Sequence, residues 1–125
     1  MIIATDTSAL VAYLQNESGV DMDLLDDAAL SGQLRIPPVV ITEILSDGTS
    51  RKTLSDLLTD VLPLPLIDGY WERAGSTRGL LRQKGLKANI ADTLIAQSCI
   101  DHDVALITRD NDFRHFAKHC GLKLA

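Results

Sequence analysis

The chain has 125 residues, 46% of them hydrophobic, so it can bury a core and predicts a single domain over residues 1–125. Its formal net charge of −5 excludes a protein that attracts nucleic acid through its whole surface. No stretch approaches the roughly 18–20 apolar residues of a membrane span, which predicts a cytoplasmic protein without signal peptide or anchor.

The first half of the chain predicts strands that alternate with helices. Ile2–Ala4 is wholly apolar, which predicts a strand buried on both faces, as in a parallel sheet. Asp6 follows this strand, and Thr7 or Ser8 is suited to cap a helix that runs to Leu14. The elements expected next are a helix at Asp21–Leu30 with Leu24, Leu25 and Ala28 inside, a strand at Leu34–Ile36 and a helix at Val39–Ser46.

The second half continues the alternation. Leucines at helical spacing begin at Leu54, and the prolines after them predict an extended edge segment at Pro63–Leu66. A long helix capped by Asp68 should bury Trp71, Ala74, Leu80 and Leu81. The remaining predicted elements are a helix at Ile90–Asp101 capped by Asn89, a strand at Val104–Ile107, a short helix near Phe113 and a last strand at Leu122–Leu124.

Four carboxylates occupy suggestive positions in this pattern. Asp6 and Asp110 follow strands, Asp92 is in the first turn of a helix, and Glu43 lies on a helix that follows a strand. Each has an ordinary explanation by itself: a turn former, a residue favoured by the helix dipole, or a solvated helix residue. Because strands alternating with helices predict a parallel sheet between helical layers, the strand-end acids should share one edge of that sheet.

The segments around these acids resemble the PIN-domain nucleases, and specifically the small VapC-type toxins of toxin–antitoxin pairs. The resemblance spans essentially the whole chain in the order of the family. It is carried by Ile3–Leu10, Val40–Ile44, Asn89–Ala96 and Leu106–Phe113.

The resemblance implies a three-layer α/β/α sandwich with a mainly parallel sheet and a Mg²⁺-dependent ribonuclease site, with Mn²⁺ as an alternative ion. Mg²⁺ prefers oxygen ligands, which carboxylates supply. Asp6 and Asp92 are expected as direct ligands, Asp110 as a ligand of the metal or its water, and Glu43 as the group that orients the attacking water or holds a second ion. Asp112 is an alternative to Asp110 as the fourth acid, and Thr7 or Thr108 could bind a coordinated water.

Two further surfaces are suggested. The segment Arg73–Lys87 contains five basic residues and no acidic residue. Within it, Arg78 and Arg82 share a helix face that is either RNA-binding or simply solvated. Leu54–Leu66 has more apolar residues than a small domain easily buries, which indicates a homodimer interface. The resemblance adds a cognate antitoxin as a partner.

Two other classes fit less well. A domain that transfers phosphate through an aspartate would also be small and α/β, but Asp6-Thr7-Ser8 lacks the second acid of an Asp-x-Asp site. A catalytically silent PIN-like module for binding or dimerisation is disfavoured because all four carboxylates are present.

Overall fold

In the computed structural model, which describes residues 1–125, five short strands form one sheet in which all neighbours are parallel. The strands are β1 (Ile3–Thr5), β2 (Leu34–Ile36), β3 (Leu62–Pro63), β4 (Ala105–Ile107) and β5 (Lys123–Leu124). Their order is β3-β2-β1-β4-β5, so the chain builds outward from β1 on one side and from β4 on the other. The order therefore reverses between β1 and β4, which is where ligands bind in open α/β sheets.

Seven helices flank the sheet, which confirms the predicted α/β architecture. They are α1 (Thr7–Leu14), α2 (Val20–Leu30), α3 (Pro38–Ser46), α4 (Arg51–Asp60), α5 (Tyr70–Gln83), α6 (Ile90–His102) and α7 (Arg114–Cys120). A 3₁₀ turn, Asn111–Phe113, leads into α7. No helix offers an apolar stretch of the length that a membrane span requires.

The two central strands are buried because helices cover both faces of the sheet. All three residues of β1 are buried, and Leu106 and Ile107 of β4 are almost wholly so. Ala4 pairs with Leu106 and Thr5 with Ile107, so the two strands end side by side. The residues that follow Thr5 and Ile107 are consequently held at one edge of the sheet by two buried strands.

The predicted inner face of α5 was partly wrong. Gly69, rather than Asp68, precedes the helix, and Tyr70 takes the buried position while Trp71 is 63% exposed. The hydroxyl of Tyr70 donates to the carbonyl oxygen of Leu94 at 2.6 Å, which fixes Tyr70 inward and turns its neighbour outward. Leu24 and Leu80 were also predicted to be buried and are exposed, each at 40%.

The leucine-rich segment divides between core and surface. Leu54, Val61 and Leu64 are buried, whereas Leu62 and Leu66 are 53% and 43% exposed. The edge strand in this region is Leu62–Pro63, two residues shorter and one residue earlier than the predicted extended segment. Leu62 therefore leaves exposed apolar surface on the edge strand, and Leu66 adds more shortly after the strand ends.

Candidate active site

Asp6 lies directly after β1 and is only 2% exposed. It is itself the N-cap of α1, because one of its carboxylate oxygens accepts the N–H of Ala9 at 2.9 Å. The expectation that Thr7 or Ser8 caps this helix was wrong; Thr7 is already the first helical residue. The helix therefore uses the strand-end acid to satisfy one of its free N–H groups, which fixes the carboxylate in one orientation.

Hydroxyl groups complete the environment of Asp6. The Ser8 hydroxyl lies 2.9 Å from both carboxylate oxygens, and the Thr108 hydroxyl donates to Oδ2. Since a serine hydroxyl has one proton for two oxygens, Ser8 can satisfy only one of them at a time. One acceptor position of the carboxylate is thus open to another ligand.

The loop after β4 is fastened to the same acid. The Thr108 hydroxyl that donates to Asp6 also accepts the N–H of Asp110 at 3.0 Å. The N–H of Arg109 donates to the Ser8 hydroxyl at 3.1 Å. Asp110 in turn accepts the N–H of Asp112 at 2.8 Å and so begins the 3₁₀ turn. The ends of β1 and β4 are therefore joined by a continuous chain of hydrogen bonds.

Three of the acids form a compact cluster. Carboxylate oxygens of Asp92, Asp110 and Asp112 all lie within 4.8 Å of one another. Asp92 is brought there by the first turn of α6, as predicted, and the other two by the loop after β4. Both candidates for the fourth acid are in this cluster, and Asp6 is not one of its three members.

The charges of the cluster act on Asp92. The pKa of Asp92 is raised from 3.8 to about 6, mainly by desolvation and in addition by the charges of Asp110, Asp112, Glu43 and Asp6. Burial also raises the pKa of Asp6, although hydrogen bonds from Thr108, Ala9 and Ser8 oppose the rise. Negative charge is therefore concentrated here in excess of what the protein itself neutralises.

Glu43 approaches the site from α3. Its Oε1 accepts a hydrogen bond of 2.6 Å from the hydroxyl of Thr7, at the start of α1. This contact holds the side chain beside the helix that Asp6 caps, and it occupies the hydroxyl of Thr7, one of the two threonines suggested to bind a coordinated water.

The acid cluster suits a hard divalent cation. Two oxygens that share one Mg²⁺ lie about 3–4 Å apart, because each metal–oxygen distance is about 2.1 Å. The cluster oxygens are within 4.8 Å of each other, so small rotations of these half-buried side chains would bring them to that spacing. Asp92 accepts no hydrogen bond from the protein, so both of its oxygens are free to act as ligands.

The two basic residues predicted to share a face of α5, Arg78 and Arg82, differ in their contacts. Arg78 Nε donates to the carbonyl oxygen of Ala88 at 2.8 Å, which ties α5 to the loop before α6. Arg82 is exposed and makes no hydrogen bond or ion pair with the protein. Of the two residues, Arg82 is the one whose side chain has no partner in the protein.

Two basic residues near the site gained roles that the sequence did not indicate. Lys87 pairs with Asp112, with Nζ 2.8 Å from Oδ2. Arg109 binds Glu17 and Asp21 at 3.0 and 2.7 Å and the carbonyl oxygen of Ser18 at 2.8 Å, so it fixes the α1–α2 connection. The sequence shows that Arg109 is adjacent to Asp110, but the partners that Arg109 binds are determined by the tertiary fold.

The fold and the site together define an open parallel α/β domain with acids gathered at the point where the strand order reverses. The sequence profile described as PIN domain matches residues 3–119, and the chain belongs to that family.

Solved structures with a similar fold are complexes named VapBC. VapBC2 from Rickettsia felis, bound to a promoter DNA fragment, has a TM-score of 0.78 at 23% identity, covering 100% of this chain and 98% of that one. VapBC-1 from nontypeable Haemophilus influenzae has a TM-score of 0.76 at 16% identity, covering 100% and 97%. VapBC-5 from Mycobacterium tuberculosis, of the VapBC family of toxin–antitoxin systems, has a TM-score of 0.68 at 20% identity, covering 98% and 96%.

Proposed function

We propose that this protein is a Mg²⁺-dependent endoribonuclease and the toxin of a toxin–antitoxin pair, acting in the cytoplasm as a single domain over residues 1–125. The observation that carries the proposal is the acid cluster at the reversal point of a PIN-domain sheet. PIN domains are in general nucleases, and the similar structures are complexes of toxin–antitoxin type. Cleavage of single-stranded RNA that requires a divalent metal is the test.

In this proposal each acid has a role that its surroundings determine. Asp92 and Asp6 bind the metal, Asp110 binds the metal or its water, and Glu43 orients the attacking water. Asp6 contributes the acceptor position that Ser8 leaves open, in an orientation fixed by Ala9 and Thr108. Bound Mg²⁺ or Mn²⁺ would polarise the phosphoryl oxygen and lower the pKa of its water from about 15.7 toward neutrality.

A nuclease site in a chain of net charge −5 needs a local source of positive charge for its substrate. We expect Arg82→Gln to weaken RNA binding and to reduce the slope of log K against log salt by up to about 0.7, since one phosphate contact on a single strand is lost. Fluorescence anisotropy at several salt concentrations measures this slope.

Arg78→Gln is the comparison for that experiment, because the Arg78 side chain is engaged with Ala88. Arg78→Gln should also lower the melting temperature, because it removes the hydrogen bond to Ala88. Arg82→Gln should not lower the melting temperature. A salt slope unchanged by Arg82→Gln would return α5 to a merely solvated face.

The proposed partners are RNA, a cognate antitoxin and a second copy of the chain. The exposed leucines at positions 62 and 66 support an apolar contact surface, since 53% and 43% of their respective surfaces remain exposed in the isolated chain. Sedimentation should show a dimer at micromolar concentration, and Leu62→Ser with Leu66→Ser should shift it toward monomer.

The toxin role has its own expected result. Expression without an antitoxin should arrest growth, and Asp92→Asn should abolish the arrest because it removes a proposed metal ligand. Harmless overexpression of a protein that cleaves RNA in vitro would remove the toxin role and leave the nuclease.

A further inference from the structure

Lys87 lies between α5 and α6, and it is the basic side chain that forms an ion pair with an acid of the cluster. Its Nζ is 2.8 Å from Oδ2 of Asp112, and the two side chains are 60% and 28% exposed. Ion pairs this exposed contribute little to stability, typically about 0–1 kcal/mol. The pair is therefore weak enough to be exchanged for another interaction.

The position of the ammonium group matters more than its stability. Asp112 belongs to the trio of carboxylates within 4.8 Å of one another, so Lys87 stands at the rim of the proposed metal site. Arg109, the basic residue next to Asp110, is committed elsewhere, because it binds Glu17 and Asp21. A strand that brings its phosphate to the acids would therefore come close to the Lys87 charge.

Resting on the proposed ribonuclease activity, we propose that Lys87 is a substrate-positioning residue that exchanges Asp112 for a phosphate of the RNA strand. A phosphate oxygen offers the same kind of acceptor as the carboxylate it replaces, so the ammonium group keeps a charged partner throughout. Lysine suits this exchange, because its charge is compact and its four-carbon stem is flexible. Asp112 holds the amine at the rim of the site until RNA arrives, which limits the orientations it must search.

The test is RNA binding in EDTA, where the absence of metal prevents cleavage, measured by fluorescence anisotropy across a salt series. Lys87→Met should weaken binding several-fold and reduce the salt slope by about 0.7, the value for one phosphate contact on a single strand. Lys87→Arg should retain the slope, because it restores the charge.

Lys84→Met is the matched control, since Lys84 is an exposed lysine at the end of α5 and pairs with no acid. It removes the same charge three residues away and should leave the slope unchanged. Asp112→Asn keeps the lysine and removes its resting partner, so binding should keep the full slope. Thermal melts check that each variant is folded.

Wild-type affinity and slope in Lys87→Met would overturn the inference and leave Lys87 as a counter-ion of Asp112. An equal loss in Lys84→Met would also overturn it, because the effect would then be one of net charge. Both results are distinguishable from failure of the proposed function, in which the unmodified protein does not cleave RNA with Mg²⁺ present.

Discussion

Asp92→Asn should lower the rate of RNA cleavage by at least about 10²-fold, comparable to the loss of one strong electrostatic contact in a transition state. Asp92 is a member of the acid trio and accepts no hydrogen bond from the protein, so the amide removes charge without removing a structural contact. Multiple-turnover cleavage of a fluorescent single-stranded RNA with Mg²⁺ measures the effect.

Asp23→Asn is the matched control for this experiment. Asp23 is also an acid in the first turn of a helix, here α2, and it is exposed without a side-chain partner. The control should cleave at the unmodified rate, and EDTA should reduce the unmodified protein to the level of Asp92→Asn. Full cleavage by Asp92→Asn would show that the acid cluster is not the site of reaction.

In the absence of metal, the unmodified protein should gain stability relative to the Asp92→Asn variant as the pH falls from about 7 toward 4. The pKa of Asp92 is about 6 in the folded protein and 3.8 ordinarily, so between these values the folded state binds the proton and the unfolded state does not. Proton uptake by the folded state raises stability as pH falls, and the benefit is lost as pH rises through about 6. At pH 7.5 the variant should therefore melt a few degrees higher.

Taking the difference between the two proteins isolates Asp92 from other titrating groups. Burial lowers the pKa of His119, which acts in the opposite direction in the same pH range. Thermal melts in EDTA from pH 4.5 to 8 should show a difference in Tm that is largest above pH 6 and shrinks in acid. A difference in unfolding free energy on the order of 1 kcal/mol corresponds to a Tm difference of roughly 4 °C for a domain of this size. A difference that is constant with pH would contradict the proposed electrostatic environment.

Asp6 shows why repulsion among acids cannot be judged from sequence alone. Clustered carboxylates repel, which suggests that neutralising any of them would stabilise the metal-free fold. The carboxylate of Asp6, however, is 2% exposed and accepts hydrogen bonds from Ala9, Ser8 and Thr108. An asparagine amide group would replace one acceptor with a donor, so Asp6→Asn should lose at least one of these bonds as well as the repulsion.

The positions of the strand-end acids could be predicted because they depend on local pattern and one general property of sheets. Apolar runs mark β1 and β4, and parallel strands end at a common edge, which places Asp6 and Asp110 together. Asp92 followed from the start of α6. The alternation of strands and helices was sufficient to predict the α/β class.

The remaining features depend on contacts between distant residues. The pairing of Lys87 with Asp112 joins residues 25 positions apart, and neither side chain has a local reason to choose the other. The inward position of Tyr70, rather than Trp71, follows from its bond to Leu94. Periodicity gives the phase of a helix only to within about one residue, which is enough to exchange a buried for an exposed aromatic residue.

Crystals soaked in Mn²⁺ and measured at the manganese absorption edge would show whether the acid cluster binds a divalent metal. We expect an anomalous difference peak in contact with Asp92 at the reversal point between β1 and β4, and its loss in crystals of Asp92→Asn. A strong peak elsewhere on the protein, or none at a Mn²⁺ concentration that supports cleavage, would contradict this expectation.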